Sequence, residues 1–319
     1  MTDDEMSSRT RWLAVLSVVL AAAALVTAGL FVLGGTFQTR QKLVLAIQPT
    51  QNPAQILERA QELRSYLSSR LGVEVEVYVP TSYAAVIEAL RFGTAQAALM
   101  GSWPAAIAVR TAGAEVVLAE VRRVYVDDRY VEGTFYYSYW IVRPESPYRS
   151  LEDLRGKSAC FPSPISSSGY LAPMARMVEL GLLSRKDGGP VDPKEFFSEV
   201  YFGGGYAQCY EALMAGRVEV AVMAGDVSRE LYEKAMGTTR VIERQGPLPS
   251  HALVVSRDLD PKLREALIQA FVELGGPERA ELMRSLVSAI FVGWERTSSE
   301  EHLSSLSRYI ELTGLEFKS

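Results

Sequence analysis

Short apolar runs alternate with one-sided helical stretches between Leu43 and Val121, and this alternation limits the possible folds more than any other feature of the chain. Leu43–Ile47 reads as a buried strand. Ile56, Ala60, Leu63, Leu67 and Leu71 then recur at the spacing of one helix face, which Gly72 ends. Val73, Val75, Val77 and Val79 alternate with Glu74, Glu76 and Tyr78, the pattern of a half-exposed strand. Thr81 or Ser82 caps a helix over 83–92, closed by Gly93. Ala97–Met100 is a further strand, and Gly101-Ser102-Trp103-Pro104 opens a helix with proline in its first turn, where it is tolerated. Val116–Val121 completes a β-α-β-α-β-α-β series, which predicts an α/β layer with much parallel sheet. In such sheets ligands sit at the carboxyl ends of strands. Those ends hold residues 49–52, Tyr83 and 101–103.

A second α/β unit is expected inside the first. Thr134–Val142 is a long aromatic strand, with Tyr136, Ser138 and Trp140 on one face and Phe135, Tyr137 and Tyr139 on the other. It is long enough to leave one lobe and enter the next. A short helix over 150–156, strands over 157–161, 199–202 and 218–223, and helices over 170–181, 207–215 and 227–236 follow. The strand ends of this unit present Ser166–Gly169, Gly203–Tyr206 and Asp226. A strand over 240–244, a rigid proline loop over 245–250 and a strand over 251–256 lead back to the first lobe. Three helical stretches, 261–275, 277–290 and 299–313, follow, the second of them open to being a pair of shorter helices.

Ser166, Ser167, Ser168 and Gly169 lie between a strand and a helix. One serine suffices to cap a helix by accepting from a free backbone N–H. Three exceed that need, and spare hydroxyls, free N–H groups and the helix dipole together suit an anion. Gly169 would let the backbone approach it closely. The plain alternative is an ordinary cap on a serine-rich loop. Pro173 cannot donate to the Gly169 carbonyl and should distort the first helical turn. Asp226 is either a helix cap or an acceptor at the site, and His251 either lines the cleft or packs in a loop.

A net charge of −5 gives no nucleic-acid surface. Only His251 and His302 are present, which argues against metal or acid–base chemistry. No cofactor is expected. Cys160 and Cys209 show no zinc spacing. Two buried free thiols is the simpler reading, with a disulfide open to a chain outside the cytoplasm. Trp12–Leu33 carries no charge and as a helix would be about 33 Å long, enough for a bilayer core of about 30 Å. An uncleaved signal-anchor is favoured over a signal cleaved near 24–28.

Five segments carry a resemblance that covers about Lys42 to Arg257: AIQPTQNPAQILERAQELRSYLSSRLGVEVEV, SYAAVIEALRFGTAQAALMG, YYSYWIVRPESPYRSLEDLRGKSACF, SSSGYLAP and YEALMAGRVEVAVMAGD. The chain resembles the phosphonate/phosphite/phosphate-binding proteins of ABC importers. The resemblance implies an α/β type II periplasmic-binding-protein fold: two doubly wound lobes joined by hinge strands, here with one N-terminal transmembrane helix. The layout expected is a polar start (1–11), an anchor (12–33), a linker (34–41), one lobe over 42–140 and 245–319, and the other over 141–244. The resemblance brings over Tyr83, Tyr136 and Ser166, Ser167 and Ser168 with Gly169 as the ligand set. Ser102, Trp103 and Tyr206 stand where the family pattern departs, the last in place of a histidine followed by an acid. No metal site is implied. The protein is then a non-enzymatic receptor that captures phosphate, phosphite or a small phosphonate for an ABC permease at the cell membrane, with its main domain outside. A ligand-sensing or accessory subunit of a membrane complex is the alternative.

Overall fold

The computed structural model describes residues 42–50, 53–126, 129–276 and 278–315. The opening alternation folds as expected: β1 (Lys42–Ile47), α1 (Pro53–Leu71), β2 (Glu74–Tyr78), α2 (Tyr83–Arg91), β3 (Ala97–Met100) and α3 (Ser102–Ala112). β4 (Glu115–Val126) runs longer than the apolar pattern suggested and turns into β5 (Arg129–Gly133). Then come β6 (Phe135–Val142), β7 (Ser158–Phe161), a π turn at Ser167–Leu171, α4 (Ala172–Glu179), β8 (Glu199–Phe202), α5 (Tyr206–Met214), β9 (Val220–Ala224), α6 (Arg229–Thr238) and β10 (Arg240–Pro249). The chain closes with β11 (Ala252–Val255), α7 (Pro261–Glu273), α8 (Ala280–Leu286), β12 (Phe291–Arg296), α9 (Ser299–Leu303) and α10 (Leu306–Thr313).

These strands make two sheets. The first has the order β12-β4-β11-β3-β1-β2, with β5 also on β4; the second has the order β10-β6-β9-β7-β8. β1 is parallel to both β2 and β3, as the crossover helices require. The chain passes between sheets twice, at Thr134 and at Ser250–His251, and Ser250 N donates to the Thr134 carbonyl at 2.9 Å, so the two crossings are bonded to each other. Burial follows the periodicities that predicted the elements. α1 buries Ile56, Ala60, Leu63 and Leu67, and β2 buries Val75 and Val77. β6 buries Tyr136, Ser138 and Trp140 and leaves Phe135, Tyr137 and Tyr139 half-buried.

Four expectations fail. The proline loop is strand: β10 runs through Leu248 and Pro249, paired with Tyr136 and Phe135, and Pro247, which has no N–H, falls in the register shift between Gln245 and Leu248. The helix expected over 277–290 shrinks to α8. It is followed by β12, which lies past that range and was not expected; there Phe291 and Trp294 bury their rings, the latter 5.6 Å from Phe271. The stretch 299–313 divides into α9 and α10. Cys160 and Cys209 are not free thiols but a disulfide, with Cα atoms 5.4 Å apart, tying β7 to α5. The expected span at 12–33 lies outside the described residues; among those described, no helix is long and apolar enough to cross a membrane.

Candidate functional site

Four helical segments begin at one place, and each begins with a residue carrying a hydroxyl. Tyr83 starts α2, Ser102 starts α3, Ser167 starts the π turn that leads into α4, and Tyr206 starts α5. The first two come from the first sheet's layer and the others from the second's. Helix starts point free backbone N–H groups outward and carry a partial positive charge, so their convergence favours an anion without any formal cation.

The turn has the form expected from Pro173, with its bonds spanning five residues rather than four. Leu171 N donates to the Ser166 carbonyl at 3.0 Å, and Tyr170 N shares the same carbonyl at 3.1 Å. This widened turn aims its three hydroxyls differently. Ser166 is the cap, accepting from Gly169 N at 3.0 Å, and its Oγ lies 3.1 Å from the Tyr206 hydroxyl. Ser167 reaches the other lobe, where its Oγ accepts from Trp103 N at 2.8 Å and from Ser102 Oγ at 3.2 Å. Ser168 accepts from the Tyr136 hydroxyl at 2.8 Å and lies 2.7 Å from that of Tyr206. All of these side chains are buried. Tyr206 N also donates to the Thr50 carbonyl at 3.3 Å, a second bond from lobe to lobe.

Gly169 serves packing more than ligand approach. A Cβ there would fall 2.1 Å from Pro162 Cγ and 2.8 Å from Ser166 Oγ. Tyr83 is the opposite case: its hydroxyl is buried and makes no hydrogen bond of regular geometry, although the Gln48 and Ser166 side chains lie close enough to act on it. A buried polar atom left without a partner is uncommon and calls for a reason. Burial, together with nearby Tyr206 and Asp226, holds the Tyr83 phenol well above its ordinary pKa, and burial with Asp226 does the same for Tyr136 and Tyr206. All three therefore stay neutral donors.

Asp226 is not a cap. Ser228 caps α6, accepting from Leu231 N at 3.5 Å. Asp226 instead belongs to a buried ionic group with Glu120, Arg122 and His251. Arg122 Nη2 lies 2.6 Å from Glu120 Oε2, 2.7 Å from Asp226 Oδ2 and 3.0 Å from His251 Nδ1. Its guanidinium covers the Tyr136 ring at 4.1 Å. Burial alone would raise the Glu120 carboxyl, but the charge of Arg122 and the contact with His251 hold it at about 2. Burial opposes the charge on Arg122, and Asp226 and Glu120 outweigh it. Sequence reasoning passed over Glu120 and Arg122. The signal was there: opposite charges two apart share one face of β4 with the buried Val124. Among the described residues, no group of three or more metal-ligating side chains could hold a metal ion.

Two α/β layers, crossed twice by the chain and meeting over a set of neutral donors, define the class of two-lobed solute-binding proteins. The chain belongs to the family of periplasmic substrate-binding proteins of phosphonate ABC transporters, which residues 45–302 match. Members of this family are binding components of transport, not enzymes. The phosphate-import protein PhnD of Mycolicibacterium smegmatis is 29% identical over 165 residues, which are 51% of this chain and 49% of that protein. The chain thus spans about half the length of that curated relative. Among solved structures, a binding component of a Pseudomonas aeruginosa ABC phosphonate transporter superposes with a TM-score of 0.70 at 19% identity, covering 86% of this chain and 87% of that one. PhnD1 of Prochlorococcus marinus, solved with methylphosphonate, gives 0.67 at 15% identity over 84% of this chain and 97% of its own. At these identities the structures speak for the fold.

Proposed function

We propose that this chain captures a small phosphorus oxyanion (phosphate, phosphite or a small phosphonate) between its lobes and delivers it to an ABC permease. The observation that carries the reading is the convergence of Ser166, Ser167, Ser168, Tyr136 and Tyr206 at a helix start, facing a Tyr83 hydroxyl that no protein atom satisfies. Ser102 and Trp103 bring the opposing helix start to the same point. Hydrogen bonds to a charged partner contribute about 1.5–3 kcal/mol each, so several support micromolar binding or better after the cost of closing. The uncharged run at 12–33 would hold the receptor on the outer side of the membrane, beside its permease.

The test is calorimetry on the full chain in mild detergent with phosphate, phosphite, methylphosphonate and sulfate. Replacing Ser166 and Ser168 together by alanine is expected to abolish the strongest signal while the circular dichroism spectrum stays unchanged. Parental affinity in that variant would take the serine turn out of the site. Fractionation of the full chain against one lacking residues 12–33 checks the anchor, and the intact chain should sediment with membranes.

A further inference from the structure

The ionic group at the cleft draws members from both layers. Glu120 and Arg122 stand on β4, His251 precedes β11, and Asp226 follows β9 of the second sheet. It lies directly behind the serine turn, because Arg122 covers the Tyr136 ring and the Tyr136 hydroxyl donates to Ser168. Asp226 is close enough to Tyr83, Tyr136 and Tyr206 for its charge to act on all three phenols. A carboxylate placed among the donors of an oxyanion cleft is the group that would pair with a ligand's ammonium. Here that oxygen already faces a guanidinium at 2.7 Å.

We propose that Arg122 sets the ligand class of this cleft: as a built-in counter-ion for Asp226, it admits phosphorus oxyanions without a positive substituent and disfavours aminoalkylphosphonates. The inference rests on the oxyanion reading above and narrows it.

An ammonium approaching Asp226 must compete with Arg122, which faces its Oδ2 at 2.7 Å; displacing the guanidinium would leave it buried against Glu120 and His251 alone. Separating a buried ion pair strands a charge that water no longer solvates. The titratable and charged groups facing Arg122 are Glu120, Asp226, His251 and the neutral Tyr136 phenol. With His251 neutral they and Arg122 sum to one negative charge, and with it protonated they sum to zero. In both states Arg122 compensates the charge of Asp226 through the ion pair at Oδ2. The group brings no net positive charge to the anion either, so its grip falls to hydroxyls and helix starts.

Calorimetry on the full chain, at one pH and ionic strength, compares methylphosphonate with 2-aminoethylphosphonate. The parent is expected to prefer methylphosphonate by about tenfold or more, and Arg122→Gln to shrink that ratio by about tenfold, since Asp226 and Glu120 are then free to attract an ammonium and repel an anion. Equal parental affinity for the two ligands, or an unchanged ratio in Arg122→Gln, overturns the inference while leaving oxyanion capture intact. Asp226→Asn decides the matter if Arg122→Gln does not fold. The inference predicts a ratio at or above the parent's. A tenfold selective loss of the aminated ligand would show that Asp226 pairs with an ammonium after all. A folded parent that binds neither of the two overturns this inference, and one that binds neither phosphate nor phosphite either removes the oxyanion reading as well.

Discussion

Tyr83 and Ser166 show how differently two hydroxyls can be used in one cleft. Ser166 is committed, capping its own turn through Gly169 N and meeting Tyr206. Tyr83 is equally buried and uncommitted. Removing its hydroxyl therefore costs the folded protein no hydrogen bond of regular geometry. Tyr83→Phe is expected to keep or slightly raise the thermal midpoint while weakening oxyanion binding by about tenfold, or 1.4 kcal/mol. Unchanged affinity would hand the first-lobe donor role to another group, with Ser102 next in reach. Both residues were legible in the chain as polar groups at helix starts. Arg122 was not, because a charge in a strand reads as solvent-facing until its partners are known, and these come from β4, the end of β9 and the start of β11.

At the scale of elements, the cleft depends on how β7 and α5 are held. β7 leads into the serine turn and α5 begins with Tyr206, and the disulfide between Cys160 and Cys209 joins the two elements. It also crowds the turn before α5, where a Cβ on Gly203 would meet Cys209 Sγ at 2.9 Å. The crosslink closes 49 residues of chain, so replacing both cysteines by serine is expected to lower the unfolding free energy by about 2–4 kcal/mol in urea titrations. Oxyanion affinity should fall with it, as Tyr206 loses its register against Ser166 and Ser168. A variant as stable as the parent would mean that packing alone holds the two elements. The cysteines could be read from the sequence as buried, but their pairing could not, because 49 residues of separation carry no information about proximity.

For the whole molecule, the lobes meet through neutral hydroxyls at the turn and through buried ions behind it, and the ions make the closed arrangement sensitive to acid. Glu120 sits at about 2 against an ordinary 4.5, so its contribution is present above pH 4.5 and is lost as the pH falls toward 2. Over that window the parent should lose stability more steeply than Glu120→Gln, by up to about 1.4 kcal/mol per pH unit, read from urea unfolding at successive pH values. Parallel curves would place the acid sensitivity elsewhere. By itself, the sequence determined the first layer's alternation, the two-faced aromatic strand, the donor-rich helix starts and the distortion by Pro173. Each of these follows from local periodicity or from the chemistry of one residue. Tertiary structure decided the strand pairing of the proline segment, β12, the disulfide and the Glu120–Arg122–Asp226–His251 group. Each of those depends on which distant segment lies opposite, and spacing along a chain does not encode that.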